Sequence, residues 1–172
     1  MQGVYLCSFY ARHENYNMVY NDVDKKTKPD LLCSATRVDL RKYDYIIATP
    51  PCNYWSHANN EKQKSEYARK TKHLLPCLIS LLSNTGKPFI IENVRNVPRM
   101  TKNKVFYLAN KKGLYVHFVG RHTYFTNVLC NLETKQKKDY TKHGNRLNKR
   151  KGAQGGENVH RVLEIWLKQL HI

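Results

Sequence analysis

Short apolar, β-prone runs alternate with polar turns along the first third of the chain. Four strands are predicted from these runs, at residues 3–10, 17–24, 29–33 and 44–49. The fourth run is followed directly by Pro50 and Pro51. Because proline cannot donate a hydrogen bond to a β ladder, we expect the fourth strand to end there.

Helical periodicity appears next. Residues 61–82 carry apolar side chains at helical spacing, and Pro76 is expected to kink or divide that helix. A turn at 84–88 then leads into a buried strand at 89–91 that ends in Glu92. Further strands are predicted at 105–108, 114–119 and 124–125, and an amphipathic helix at 159–170. Strands that alternate with helices predict a single α/β domain.

Three predicted strands end in polar or reactive side chains, which are Asp22, Cys52 and Glu92. Ligands of α/β sheets bind beyond the carboxyl ends of the strands. We therefore expect these three residues to line one edge of one sheet.

The composition is strongly basic, with a formal net charge of +17 over 172 residues. The positively charged side chains repel one another, and binding to a polyanion such as nucleic acid relieves this repulsion. The alternative is a lysine-rich composition that only aids solubility. No apolar run is long enough to span a membrane. Five cysteines without paired spacing favour a reduced, intracellular protein with no disulfide framework and no metal site.

Two residues are candidates for chemistry. A thiolate is a strong nucleophile, and a rigid turn in a basic protein would favour the thiolate of Cys52. The alternative is a buried structural cysteine. Burial of Glu92 would favour a neutral carboxyl that donates a hydrogen bond. The alternative is an ion pair with Arg95, Arg121 or a lysine.

The segments TPPCNYWS, FIIENV and GRHTYFTN occur in this order. Together with LISLLSNTGKPFIIENVRNVP and the segment ahead of the cysteine, they resemble the cytosine-5 DNA methyltransferase family, and most of all its compact phage versions. The resemblance covers roughly residues 17–127, and residues 156–159 loosely resemble the closing element of the family. It implies a Rossmann-like class I methyltransferase fold, with a mostly parallel sheet and helices on both faces.

The resemblance also implies roles for particular residues. Cys52 would add to C6 of a flipped cytosine, Glu92 would meet N3 and the exocyclic amine, and Arg121 would make a further ring or phosphate contact. S-adenosylmethionine would be the methyl donor. The residues that would hold this cofactor are Ser8, Phe9, Asp22, Ser34 and Pro50.

The sequence departs from the family at the cofactor side. Residues 7–12 contain no glycine where the family has a glycine-rich turn, and Phe9 would intrude on the methionine part of the cofactor. Ser34 stands where an acidic residue normally receives the adenine amine. Thr123 stands at the second arginine of the late-strand element, whereas Asp22 is retained for the ribose hydroxyls.

A basic segment at 128–153 follows, without a separate target recognition domain. Its residues expected to contact the DNA backbone are Lys137, Lys138, Lys142, Arg146, Lys149, Arg150 and Lys151. The alternative is a solvated, disordered run of charge. Little surface then remains for reading base edges, so we expect a short target or weak selectivity. A protein partner that supplies target recognition is a further expectation.

Trp55 lies on the loop after Cys52, and two interpretations remain open for it. It would either stack on a flipped base or pack beneath the loop.

Three functions follow from these observations. The first is cytosine-5 methylation of DNA by an intracellular enzyme, in the host cytoplasm if a phage encodes it. The second is a catalytically inactive relative that binds DNA. The third is modification of cytosine in RNA or in a free nucleotide. The sequence does not predict an oligomeric state.

Overall fold

The computed structural model describes residues 1–7, 15–56, 65–95, 104–132 and 153–171. Seven strands form one sheet in these residues. They are β1 (Gly3–Leu6), β2 (Met18–Asp22), β3 (Leu31–Leu32), β4 (Tyr45–Ala48), β5 (Phe89–Val94), β6 (Tyr115–Val119) and β7 (His122–Thr126). Their order across the sheet is β3-β2-β1-β4-β5-β7-β6.

The sheet is mostly parallel, as the sequence predicts. Strands β1 to β5 pair in parallel, and within this sheet β7 is antiparallel to both of its neighbours. The order runs outward in both directions from β1 and β4, so their carboxyl ends form a topological switch point, where α/β sheets bind ligands. The fold is therefore Rossmann-like.

Four α-helices are described, and they are α1 (Glu66–Thr71), α2 (Leu74–Ser83), α3 (Lys104–Lys111) and α4 (Ala153–Gln169). The helix predicted around Pro76 is divided, but the break lies at Lys72 and His73. Pro76 instead occupies the first turn of α2, where the missing N–H has no intrahelical partner in any case. Among the described residues, no helix is both long and apolar enough to cross a bilayer.

The strand predicted at 105–108 is wrong, since these residues belong to α3. Val105 and Ala109 are buried at a spacing of four residues, which is the spacing of a helix. Gly113 follows the helix with a φ of 68°, a left-handed conformation that is common after a helix end. The prediction failed because the short apolar run of an amphipathic helix cannot be told from a strand by its pattern alone.

Helices cover both faces of the sheet, as predicted. On one face Ile46, Ile91 and Phe125 pack with α2 and α3. On the other face Ile47, Ile90 and Tyr124 pack with Val162, Leu163 and Trp166 of α4. Because successive strand residues point to opposite faces, the apolar runs of β4 and β5 supply both cores at once.

Candidate active site

A cavity of about 720 Å³ opens at the carboxyl ends of the parallel strands. Asp22 at the end of β2, Cys52 after β4 and Glu92 in β5 all line it. The structure thus brings together the three residues that the sequence placed at strand ends, although they are far apart along the chain.

The turn that carries Cys52 is held by neighbouring strands. Thr49 Oγ1 donates a hydrogen bond to the Cys7 carbonyl at 2.7 Å, and buried Asn93 donates from Nδ2 to the Pro50 carbonyl at 3.0 Å. The Cys52 carbonyl accepts from the N–H groups of Trp55 and Ser56, both at 2.9 Å. The sulfur is therefore presented from a fixed backbone.

The surroundings of Cys52 oppose ionisation of its thiol. Burial, and after it the negative charge of Glu92, raise the pKa of Cys52 above its usual range, and a backbone hydrogen bond only partly offsets them. The sequence-based expectation that this turn would favour the thiolate is wrong for this structure. Desolvation and the nearby carboxylate outweigh the basic composition of the chain.

Alkylation of Cys52 by iodoacetamide should therefore rise with pH over a higher range than alkylation of a cysteine in a short peptide. Glu92→Gln removes a charge that raises this pKa, so its profile should move to lower pH. Because the burial remains, the profile should stay above that of the peptide. Mass spectrometry of the Cys52 peptide measures the rate, and identical profiles for Glu92→Gln and the unaltered protein would contradict the electrostatic explanation.

Cys7 is a second thiol on the cavity wall. Burial, followed by the charge of Asp22, raises the pKa of Cys7 to about 12. Cys7 therefore stays protonated at neutral pH, and only a thiolate is a strong nucleophile. This leaves Cys52, beside Glu92, as the better candidate for nucleophilic chemistry.

Glu92 is 5% exposed and lies within β5. Its Oε1 is 2.6 Å from Nδ1 of His122 on β7. The sequence-based alternative of an ion pair with Arg95 or Arg121 is wrong, because the partner is His122. Arg95 instead donates to the Gly120 carbonyl, with its guanidinium 5.8 Å from the centre of the Phe118 ring.

Sequence reasoning left His122 without a role. In the antiparallel pairing Glu92 lies opposite Tyr124 and Val94 lies opposite His122, so these side chains share one face of the sheet. Thr123 points to the other face, and exposed Arg121 does not line the cavity. Alternation along RHTYF would have found His122 only if the register with β5 had been known.

The same cavity is lined by the residues predicted for the cofactor that the structure describes. Asp22, Ser34 and Pro50 line it together with Asn21. Asp22 Oδ1 accepts from the Asp24 N–H at 2.9 Å, and Asn21 donates to the Cys33 carbonyl at 2.8 Å. Among the described residues, the buried Oδ1 of Asn21 has no hydrogen-bond partner. A buried acceptor is therefore free in the wall of the cavity.

Comparison with known proteins supports the expected family. A family model described as C-5 cytosine-specific DNA methylase matches residues 4–113. This chain belongs to that family. A solved methyltransferase of Entamoeba histolytica, EhMeth, is similar at 14% identity with a TM-score of 0.48. The match covers 80% of this chain and 55% of that one, so this chain spans about half the length of that neighbour. The comparison with curated proteins gives no match.

C-5 cytosine-specific DNA methylases generally use S-adenosylmethionine, and the observed cavity has features that fit it. The Asp22 carboxylate and the unpartnered Asn21 oxygen are acceptors for hydroxyl or amino groups. Ser34, which is expected near the adenine, carries no charge, and its hydroxyl is 3.0 Å from that of Thr36. Ser8 and Phe9 lie outside the described residues, and so does the effect of Phe9 on the methionine part.

The predicted nucleic-acid contacts are only partly within the described residues. Trp55 is 6% exposed and belongs to the apolar cluster that contains Ile46 of β4 and Leu78 of α2, which supports the packing interpretation. Its stacking on a flipped base stays a prediction. The Tyr54 ring packs edge-on against the Trp55 indole, with 4.7 Å between the ring centres. The basic residues predicted to contact DNA, all between 137 and 151, lie outside the described residues.

Proposed function

We propose that this protein transfers a methyl group from S-adenosylmethionine to C5 of cytosine in DNA, with Cys52 as the nucleophile. One observation carries the proposal: Cys52 and Glu92 line the same cavity as Asp22, at the switch point of the sheet. Membership of the methylase family and the net charge of +17 support DNA as the substrate.

Cys52 makes C5 of the base reactive. The Cys52 thiol passes its proton to the Glu92 carboxylate and its sulfur forms a bond to C6, while N3 of the ring takes that proton from Glu92. This addition turns C5 into an enamine-like nucleophile. After C5 is methylated, its proton leaves to water, the S–C6 bond breaks and N3 returns its proton to Glu92. The Cys52 thiolate released in this way takes the proton back from Glu92. The raised pKa of Cys52 in the protein without DNA means that the first proton must be lost when the base binds.

Glu92 stabilises the charge that the addition places on the ring. A buried carboxyl at the cavity wall would contact N3 and the exocyclic amine of cytosine. In the same cavity, Asp22 and Asn21 would hold the adenosyl part of S-adenosylmethionine. When bound, S-adenosylmethionine supplies an activated methyl group on a sulfonium.

The proposal predicts a covalent complex with duplex DNA that contains 5-fluorocytosine. Fluorine replaces the C5 proton that must leave, so the complex should stay linked once the methyl group is transferred. A denaturing gel measures the complex, and mass spectrometry should map the link to Cys52. Cofactor binding without any adduct, on duplexes that cover all short target sequences, would contradict the proposal.

A catalytically inactive DNA-binding relative is the second candidate. The raised pKa of Cys52 and the residue types at Ser34 and Thr123 favour it. It predicts duplex binding with neither cofactor binding nor adduct.

The same adduct assay with 5-fluorocytosine in single-stranded RNA separates the DNA enzyme from an RNA enzyme, because only one of the two substrates should become linked to the protein.

A further inference from the structure

The contact between Glu92 and His122 is the best-defined side-chain interaction at the cavity wall. Their atoms Oε1 and Nδ1 are 2.6 Å apart, and the side chains are 6% and 14% exposed. Among the described residues, His122 is the hydrogen-bond partner of the Glu92 carboxyl. A hydrogen bond that involves an ionised group in such a poorly solvated place is strong and directional.

The imidazole is held in place by its own strand. Tyr124, the next residue on that face of β7, lies directly opposite Glu92, and its ring centre is 6.4 Å from that of His122. Val94 and Val119 lie opposite His122 on the two neighbouring strands. His122 thus sits on the central strand of a three-stranded ladder, and a side chain on a strand is held more rigidly than one on a loop.

The arginine positions of the late-strand element do not supply this contact. Thr123 is fully buried on the opposite face of β7, and Arg121 is exposed in the turn before it. The register of β7 against β5 therefore places His122, and neither Arg121 nor Thr123, within hydrogen-bond distance of the Glu92 carboxyl.

We infer that His122 is a positioning residue for Glu92, which fixes the carboxyl towards the base and stabilises its negative charge during cytosine addition. The inference rests on the proposed function. The Glu92 carboxylate takes up the proton that the Cys52 thiol loses. As the S–C6 bond forms, N3 takes that proton from Glu92 and the carboxylate is restored. The N–H of Nδ1 donates to Oε1 of that carboxylate, and the proton returns to Glu92 when the S–C6 bond breaks. His122 itself does not contact the substrate.

Exchange of the C5 hydrogen of cytosine with water tests the inference without the cofactor. Addition of Cys52 lets C5 exchange its hydrogen, and elimination then releases the label of 5-tritiated cytosine in duplex DNA. His122→Leu should lower the release rate at saturating DNA by roughly 10²-fold, the size of effect expected when a catalytic group is misplaced. DNA affinity should be unchanged. His122→Asn places an amide donor near the position of Nδ1 and should recover most of the rate.

A double-mutant cycle separates positioning from a merely structural role. In a Glu92→Gln background, His122→Leu should have little further effect on the release rate, because the group it acts on is already gone. His117→Leu is the matched control, since His117 on β6 faces Cys130 at 3.9 Å and should leave the rate unchanged. Thermal melting of each variant checks that it is folded.

The outcomes distinguish the two proposals. Release of label by the unaltered protein and equally by His122→Leu would overturn the inference and leave the proposed function intact. The inference would also be overturned if His122→Leu lowered the release rate by the same factor in the unaltered protein and in the Glu92→Gln background. No release by the unaltered protein while it binds the duplex would overturn the proposed function, and the role of His122 with it.

Discussion

Replacement of Cys52 by serine is expected to abolish the covalent adduct. The rate of methyl transfer should fall by roughly 10³-fold or more. Loss of a catalytic nucleophile can reduce kcat by up to about 10⁶-fold. A serine hydroxyl is similar in size but far less acidic than a thiol, and the burial and negative charge around Cys52 would oppose its ionisation even more. Labelled methyl incorporation and the 5-fluorocytosine gel shift measure the loss.

The matched control is Cys77→Ser, which changes an exposed cysteine on α2. It should leave methyl transfer, adduct formation and melting temperature unchanged. Cys52→Ser should keep the DNA affinity of the unaltered protein, because the backbone of its turn is held by Asn93 and Thr49 rather than by the sulfur. Methyl transfer by Cys52→Ser at the normal rate would show that another group, or another mechanism, carries the reaction.

The sheet and the convergence of its strand ends were predictable because both depend on local signals. Proline after β4 ends a strand whatever surrounds it, and an apolar run followed by Glu92 marks a buried strand that reaches a polar edge. Parallel strands place such ends at one edge, so Asp22, Cys52 and Glu92 meet without further information.

What the sequence could not predict depends on tertiary contacts. The partner of Glu92 follows from the register of β5 against β7, and a shift by one residue would have exchanged His122 for Arg121 or Thr123. The ionisation of Cys52 depends on burial, which the basic composition does not reveal. Helix α3 was missed because four apolar-rich residues suit a strand as well as a helix.

The largest effect on stability is expected at Trp166. This residue of α4 is fully buried against the sheet, and its Nε1 donates to Thr126 Oγ1 at 3.2 Å. Trp166→Ala leaves a cavity and removes that hydrogen bond, so the free energy of unfolding should fall by about 3–5 kcal/mol. Urea denaturation followed by far-UV circular dichroism measures the change, with one transition for the whole chain.

Controls on the same helix separate packing from helix formation. Lys168→Ala, at an exposed position, should change stability by less than about 0.5 kcal/mol. Trp166→Phe keeps an aromatic ring but loses the hydrogen bond to Thr126. Its loss of unfolding free energy should lie between those of Lys168→Ala and Trp166→Ala.

We propose that residues 1–172 form one domain, which requires that α4 unfold together with the sheet. A Trp166→Ala variant as stable as the unaltered protein would show that α4 is not part of that cooperative unit. The cavity would then have to be supported by β1 to β7 and the helices of the other face alone.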